Sequence, residues 1–211
     1  MTIEFRVDAA RRAKAVVLLA HGAGAGMDTP FMAALARGLS EQGARVLRFE
    51  FTYMAARRHG ARKPPERMPA LEARFLEAIA AAKSKLPLFV AGKSMGGRVA
   101  TRIADRAGAR GVLAFGYPFH PPKKPDQLRV EHLQTLAAPC LIVQGTRDPF
   151  GRPDEVAHYQ LPANVDVHWL ADGDHSFVPR KASGRSSAQN LHEAITVSAQ
   201  FVTGVLSGRT R

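Results

Sequence analysis

The sequence predicts an α/β protein built on one doubly wound, mostly parallel β-sheet. Two observations support this prediction. Short apolar runs that resemble buried strands alternate with helical patterns along the chain. No internal repeat and no linker-like segment interrupts this alternation. Because 211 residues are enough for one sizeable core, we expect a single domain that extends over residues 1–211.

Seven apolar runs predict the strands of this sheet. We expect the first to be a short edge strand and the second, AVVLLA, to be buried on both faces, as central parallel strands are. The predicted strands are residues 3–7, 15–20, 45–51, 86–91, 111–116, 140–145 and 165–170.

Apolar residues at helical spacing predict the helices that connect the strands. Thr29-Pro30 is a plausible helix start. The predicted helices are residues 30–42 and 68–82, a segment with Val99, Ile103 and Ala107 on one face, a short helix near 154–159, and a final helix around 191–205. By contrast, residues 53–67 form a polar, basic segment. Residues 117–139 form a connection interrupted by prolines, with room for one helical turn near 127–136.

The stretch GKSMG at residues 92–96 predicts a nucleophile elbow. It follows a strand pattern and precedes a helical one, which is the context of a G-x-S-x-G motif in serine hydrolases. The sharp turn would hold Ser94 in a strained backbone conformation, with its hydroxyl above the sheet. Side chains at Gly92 or Gly96 would collide with neighbouring backbone. We therefore expect Ser94 to be a nucleophile.

Two other interpretations of this stretch have to be considered. Ser94 could be an ordinary helix cap at a glycine-rich turn. The Gly92-Lys93-Ser94 sequence also occurs in Walker A phosphate-binding loops, but those loops need a glycine where this chain has Pro87. The sequence therefore excludes a Walker A loop, and the residues further along the chain decide between a cap and a nucleophile.

An acid and a histidine follow Ser94 in the order Ser, Asp, His that is typical of one class of catalytic triad. Asp148 comes after the strand 140–145 and His175 after the strand 165–170. All three residues should therefore lie at the carboxyl ends of parallel strands, where such sheets bind ligands. His175 would accept the Ser94 proton as general base, and Asp148 would orient the imidazole and stabilise its charged form.

Each of these residues also has a structural interpretation. Asp148 precedes Pro149 and could be a turn residue, and His175 could be an ordinary surface histidine. Asp172 and Asp174 are alternative acids. They lie too close to His175 in the sequence to reach its ring easily, so we expect them to shape the loop. The shared placement at strand ends favours the triad.

Two backbone N–H groups are expected to form an oxyanion hole. Met95 follows Ser94 at a helix N-terminus, and Ala23 lies in the glycine-rich loop HGAGAG after the first long strand. His21 is expected to hold this loop by hydrogen bonds, and His120 could line the site. The remaining histidines have no metal-ligand spacing, so we expect neither a metal nor a cofactor.

The composition of the chain indicates where in the cell the protein is expected and which kinds of partner it could bind. The single cysteine, Cys140, excludes an internal disulfide and is expected to be a buried apolar residue. The apolar run before His21 has six residues, fewer than the about 7–15 of a signal peptide, so we expect a cytoplasmic protein without a membrane segment. The net charge of +12 could indicate an anionic partner. Scattered solvated arginines explain it better, because no nucleic-acid-binding motif accompanies the charge.

The chain resembles the α/β-hydrolase superfamily over nearly its whole length. The matching stretches are HGAGAG at 21–26, GKSMGGR at 92–98, GTRDPFG at 145–151 and DGDHSF at 172–177. It is similar to small, lidless bacterial serine hydrolases of the dienelactone-hydrolase-like type, a branch related to eukaryotic testis-expressed and chromatin-complex hydrolase-like proteins. The resemblance implies the α/β-hydrolase fold and its catalytic machinery. The N-terminal antiparallel strands must be shortened or missing, and the 117–139 connection is too short for a large cap domain.

Two functional hypotheses follow. The first is a serine hydrolase that cleaves a small ester, thioester or related acyl substrate through an acyl-enzyme. The second is a non-catalytic interaction protein with this fold that binds an anionic partner, and the presence of Ser94, Asp148 and His175 argues against it. Basic residues in 53–67 and 117–139 could form a positive rim that favours anionic acyl substrates. The alternative is a solvated basic loop with no effect on catalysis.

Overall fold

The computed structural model describes residues 2–209. Its centre is a seven-stranded sheet with the spatial order β1-β3-β2-β4-β5-β6-β7. The strands are β1 (Arg6–Ala9), β2 (Ala15–Ala20), β3 (Ala44–Phe49), β4 (Leu88–Lys93), β5 (Gly111–Phe115), β6 (Cys140–Gly145) and β7 (Val165–Leu170). β1 is antiparallel to β3, and every other neighbouring pair is parallel. The predicted doubly wound, mostly parallel sheet is confirmed.

Within residues 2–209 there are six α-helices, five between strands of the sheet and one after β7. They are α1 (Pro30–Glu41), α2 (Thr52–Arg57), α3 (Met68–Ala82), α4 (Met95–Ile103), α5 (Pro153–Val156) and α6 (Ser187–Leu206). Helices α3 and α4 pack on one face, and α1 and α6 pack on the other. Each face therefore has its own apolar core.

Strand β2 contributes side chains to both cores. All six of its residues are apolar and buried. Alternate side chains point to opposite faces: Val16 and Leu18 belong to the core under α3 and α4. Val17 and Leu19 belong to the core under α1 and α6. Because full burial of a valine or leucine side chain contributes about 1.5–3 kcal/mol, these four residues fix the strand from which the glycine-rich loop departs.

Helix α1 begins where the sequence predicts it. Thr29 Oγ1 accepts a hydrogen bond from the Met32 N–H at 3.3 Å, which caps the helix. Pro30 occupies the first helical position, where its missing N–H leaves no bond unmade. After the helix, the φ of +96° at Gly43 allows the chain to turn into β3.

The structure differs from the sequence predictions at several element boundaries and in one segment. The edge strand lies at Arg6–Ala9 rather than at 3–7, and α4 ends at Ile103, so Ala107 lies in the following turn. The segment 53–67, predicted as polar and basic, begins with helix α2. No side chain caps α2, and burial of Tyr53 and Met54 stabilises it instead. Local sequence signals therefore could not reveal it.

The carboxyl edge of the sheet remains open. The connection from β5 to β6 contains a short 3-10 helix, Glu131–Thr135, inside the predicted 127–136 turn. Across the part of the chain that the structure describes, no cap domain covers this edge. None of the helices found between residues 2 and 209 combines the length and the apolar character needed to cross a bilayer.

Candidate active site

The elbow between β4 and α4 holds Ser94 in a strained backbone conformation. Its φ of 51° and ψ of −116° lie in a region that residues with side chains rarely adopt. A Cβ atom on Gly92 would overlap the carbonyl group of Gly96, and one on Gly96 would lie 2.6 Å from the His21 oxygen. The close approach of α4 to the strands thus requires glycine at both positions, as the motif predicted.

Asp148 and His175 form a hydrogen-bonded pair at the ends of β6 and β7. Asp148 Oδ2 lies 2.8 Å from His175 Nδ1, and Asp148 Oδ1 accepts a hydrogen bond from the Phe150 N–H at 2.9 Å. Asp148 is fully buried, while the His175 side chain is 24% exposed. The Phe150 ring lies 4.3 Å from the His175 ring, centroid to centroid. With Nδ1 donating to the carboxylate, Nε2 of the neutral ring is left as the proton acceptor.

Ser94 and His175 line the same cavity, which has a volume of about 450 Å³. Ala23 lies on its glycine-loop side, and Phe31 and Phe150 supply apolar surface. The Ser94 hydroxyl and the His175 ring, both within the described residues, are not hydrogen-bonded to each other. In serine hydrolases this bond is often long until substrate binds. The structure thus brings Ser94 and His175 to one cavity and bonds His175 to the buried Asp148.

The two alternative acids shape the loop that carries His175. Asp174 Oδ1 accepts hydrogen bonds from the Ser176 and Val178 N–H groups at 2.7 and 3.0 Å. Asp172 accepts from the Arg180 N–H at 2.6 Å and from its guanidinium. The hydrogen bond from Arg180 lowers the pKa of Asp172. These contacts agree with the loop-shaping role predicted for both carboxylates.

The glycine-rich loop is held by residues at the start of α2. His21 is fully buried, and its Nε2 accepts a hydrogen bond from the Phe51 N–H at 3.1 Å. The proton of the neutral ring is therefore on Nδ1, which donates to the Gly22 oxygen at 2.7 Å. Burial lowers the pKa of His21 and favours this neutral form. The Tyr53 hydroxyl donates to the Ala23 oxygen at 2.8 Å.

The positions expected to form the oxyanion hole lie at this site. Ala23 lines the cavity. Met95 is the first residue of α4, where a backbone N–H has no acceptor within its own helix. A helix N-terminus also favours negative charge. The assignment of Ala23 and Met95 as oxyanion donors stays a prediction.

Sequence reasoning missed Lys93, Phe150 and Tyr53. Lys93 is the variable residue of the elbow, and its ammonium nitrogen is buried beside the site without a hydrogen-bond partner among residues 2–209. Phe150 follows Asp148-Pro149, and its ring lies against that of His175 at an angle of 35°. Lys93 and Phe150 could have been identified only because they are next to motif residues in the sequence. Tyr53 could not have been identified, because it lies in α2, which has no local sequence signal.

His120 contributes nothing to the cavity wall. It is buried, its Nδ1 lies 2.9 Å from the Pro121 oxygen, and its Nε2 lies 3.6 Å from the Glu155 carboxylate. Within the described residues, no three His, Cys, Asp or Glu side chains gather closely enough to hold a metal ion.

The basic segment after β3 is partly neutralised. Arg58 forms ion pairs with Glu50 at 2.6 Å and with Asp28 at 2.5 Å. Arg57 donates to the Lys63 oxygen at 2.8 Å, and its guanidinium lies 5.2 Å from the centre of the Tyr53 ring. No carboxylate between residues 2 and 209 pairs with Arg57. Of these two arginines, Arg57 is therefore the one that could contribute to a positive rim.

The parallel sheet, the strained elbow and the histidine–carboxylate pair at its carboxyl edge define an α/β-hydrolase type of protein. A family model described as an alpha/beta hydrolase domain matches residues 13–203. The chain therefore belongs to the α/β-hydrolase domain family, and the family membership supports hydrolytic activity in general terms.

Solved structures with the same fold include three bacterial proteins. An alpha-beta serine hydrolase homologue from Coxiella burnetii has a TM-score of 0.72 and 17% identity, with 94% of this chain and 90% of that chain covered. Dienelactone hydrolase from Anabaena variabilis has a TM-score of 0.71 and 22% identity, with 99% and 93% covered. A Xanthomonas campestris serine hydrolase described as without a lid has a TM-score of 0.69 and 19% identity, with 94% and 88% covered. At these identities the likeness shows a shared fold.

Proposed function

We propose that this protein is a serine hydrolase that cleaves a small ester, thioester or related acyl substrate through an acyl-enzyme. Ser94 is the nucleophile, His175 the general base and Asp148 the acid that orients it. The observation that carries the proposal is the 2.8 Å hydrogen bond between the fully buried Asp148 and His175 at the cavity that Ser94 lines. The cytoplasmic location stays a prediction from the sequence.

The proposed reaction has two halves. His175 Nε2 accepts the Ser94 hydroxyl proton while Oγ attacks the acyl carbonyl carbon, and the oxyanion accepts hydrogen bonds from the Ala23 and Met95 N–H groups. The imidazolium then returns the proton to the leaving group, which departs as the acyl-enzyme forms. In the second half, His175 accepts a proton from water while the water oxygen attacks the acyl carbon. The bond to Ser94 Oγ then breaks, the imidazolium returns the proton to Oγ, and the acid is released. Asp148 stabilises the imidazolium in both halves.

The cavity supports a small acyl group as the substrate. Its volume of about 450 Å³ falls near the lower end of the usual range for small-molecule pockets. Phe31, Met32 and Phe150 give it apolar surface, which favours an uncharged acyl chain or a small ring near Ser94. Charge on the substrate would have to lie farther out, toward Arg57.

A fluorophosphonate probe tests the proposal directly, because it reacts with an activated serine. The wild-type protein should be labelled and should hydrolyse p-nitrophenyl acetate, and Ser94→Ala should lose both properties. Its thermal unfolding should be nearly unchanged, since the hydroxyl that is removed makes no hydrogen bond with any residue that the structure describes. Ser176→Ala is the matched control, because Ser176 lines the same cavity but has no proposed role, and it should still be labelled.

Two results would contradict the proposal. Labelling retained in Ser94→Ala would remove Ser94 as nucleophile. A folded wild-type protein that neither reacts with the probe nor hydrolyses esters would favour the alternative of a non-catalytic interaction protein.

A further inference from the structure

Lys93 places a buried positive group directly before the proposed nucleophile. Its side chain leaves the last position of β4. Its ammonium nitrogen is buried, and nothing in the described chain forms a hydrogen bond with it. Removing an ammonium group from water is energetically costly unless other groups compensate for its charge. A methionine side chain could extend into the same space without that cost, so the charge itself requires an explanation.

The amine lies close to the ring of His175. A Cβ atom placed on Gly116 would lie 2.8 Å from Lys93 Nζ and 3.2 Å from His175 Nδ1. The two nitrogens are therefore within about 6 Å of each other, on the side of the imidazole that faces Asp148. Gly116 has a φ of +63°, a conformation that favours glycine. The missing side chain leaves the room that the amine occupies.

The ionisable groups that face Lys93 come from two loops. Asp148 lies on the loop after β6, and Asp174 and His175 lie on the loop after β7. The loop after β2 and the turn after β5 contact Lys93 through Gly22 and Gly116, which have no side chains. Burial lowers the pKa of Lys93 to about 8, and the charges of Asp148 and Asp174 oppose this shift. Near neutral pH the amine is therefore mostly protonated.

We propose that Lys93 is a positioning residue whose positive charge acts on the Asp148–His175 pair and keeps the imidazole unprotonated, ready to accept the Ser94 proton. The inference rests on the proposed hydrolase function. Asp148 alone would favour the charged imidazole, whereas a nearby ammonium disfavours it. The two charges oppose each other, and their balance sets the pH at which His175 becomes an effective base.

This arrangement has a signature in the pH dependence. As the pH rises, kcat/KM should first increase when His175 loses its proton. A second, smaller increase should follow near pH 8, when Lys93 loses its proton and no longer repels the imidazolium that forms in the transition state. A lysine with a purely structural role would produce no second step.

The test compares the wild-type protein with Lys93→Met and Lys93→Arg. The His175 ring is titrated by NMR, which needs no catalytic activity, and fluorophosphonate labelling rates are measured over the same pH range. In Lys93→Met, the midpoint of the His175 NMR titration and the midpoint of the labelling profile should both rise by about one to two pH units. This is the shift expected when a unit charge within about 6 Å is removed in a protein interior. Lys93→Arg keeps the charge and should keep the midpoints near the wild-type values. Lys85→Met, which changes an exposed lysine before β4, is the control.

The outcomes separate this inference from the proposed function. A folded Lys93→Met protein with an unchanged His175 midpoint would overturn the role of Lys93. If Lys93→Met does not fold, the wild-type titration still decides, because the His175 resonances should show a second inflection near pH 8 and a single inflection would contradict the proposal. A wild-type protein without probe labelling would contradict the hydrolase function and leave the NMR result for Lys93 valid.

Discussion

Two loops frame the cavity, and they are held in place in different ways. The glycine-rich loop 21–26 follows β2, and the loop 171–178 follows β7. The first loop is fixed from outside, by the Phe51 N–H that binds His21 and by the Tyr53 hydroxyl. The second loop is also fixed from within, because Asp174 accepts hydrogen bonds from two of the loop's own N–H groups. From outside, the Asn190 side chain donates to the Ala171 and Phe177 oxygens at 3.3 and 2.9 Å.

The difference reflects what each loop contributes. A loop that offers backbone N–H groups to a ligand must keep side chains out of the way, so it has few groups with which to hold itself. A loop that presents an imidazole ring can carry polar residues such as Asp172 and Asp174, which fix its course. The glycine-rich loop therefore depends on β3 and α2, and its geometry should fail when those supports are removed.

The largest expected effect tests the loop that presents the ring. Asp148→Asn should keep the shape of the site but favour the wrong tautomer of His175, and kcat should fall by roughly 10⁴-fold, as for the equivalent change in a catalytic triad. Asp174→Asn keeps an oxygen that can accept the same hydrogen bonds, and kcat should fall less than about tenfold. The donors of those bonds are neutral backbone N–H groups. Both rates can be measured with p-nitrophenyl acetate. If Asp174→Asn were the more damaging change, the orienting acid would be misassigned.

A smaller effect tests the support of the glycine-rich loop. His21→Ala leaves the buried Phe51 N–H without its acceptor, which should lower the free energy of unfolding by about 1–3 kcal/mol in urea titrations. His158→Ala, at an exposed position, should change it by no more than about 0.5 kcal/mol. Equal stabilities for the two variants would show that the loop does not depend on His21.

The His21→Ala variant should also change how the free energy of unfolding depends on pH. Burial lowers the pKa of His21 from 6.5, so below pH 6.5 the unfolded chain binds a proton that the folded protein resists. The unfolded state then holds more protons, and stability falls as the pH is lowered from 7 toward 5. In His21→Ala this slope should become shallower. His132, whose pKa burial lowers to about 4, contributes a slope of the same sign and remains.

The smallest expected effect concerns charge near the glycine-rich loop. We propose that Arg57 favours anionic acyl substrates by steering. Arg57→Ser should reduce kcat/KM for an ester with a distant carboxylate by about twofold relative to a matched neutral ester. The effect of Arg57→Ser on the charged ester should disappear as the salt concentration is raised from 0.1 M to 1 M, because the Debye length falls from about 10 Å to about 3 Å. Arg110→Ser, before β5, is the control, and equal salt-insensitive rates would leave Arg57 as a solvated side chain.

The strands and the strained elbow could be predicted because they have local signals. The strand β2 is an unbroken apolar run, and the elbow has a motif whose glycines meet neighbouring backbone when given side chains. Helix α2 could not be predicted, because burial of Tyr53 under distant elements stabilises it. The surroundings of Lys93 could not be predicted either, since they depend on Gly116 and on two loops far away in the sequence.

The burial of Cys140 makes the protein suitable for thiol chemistry at a chosen position. Its side chain is fully buried, and burial raises the pKa of its thiol, so the reactive thiolate scarcely forms. The chain has no other cysteine. A Ser94→Cys variant would thus carry one accessible thiol, at the elbow. A chromogenic disulfide would then count intact sites in a preparation, and a spectroscopic label attached there would report on the cavity alone.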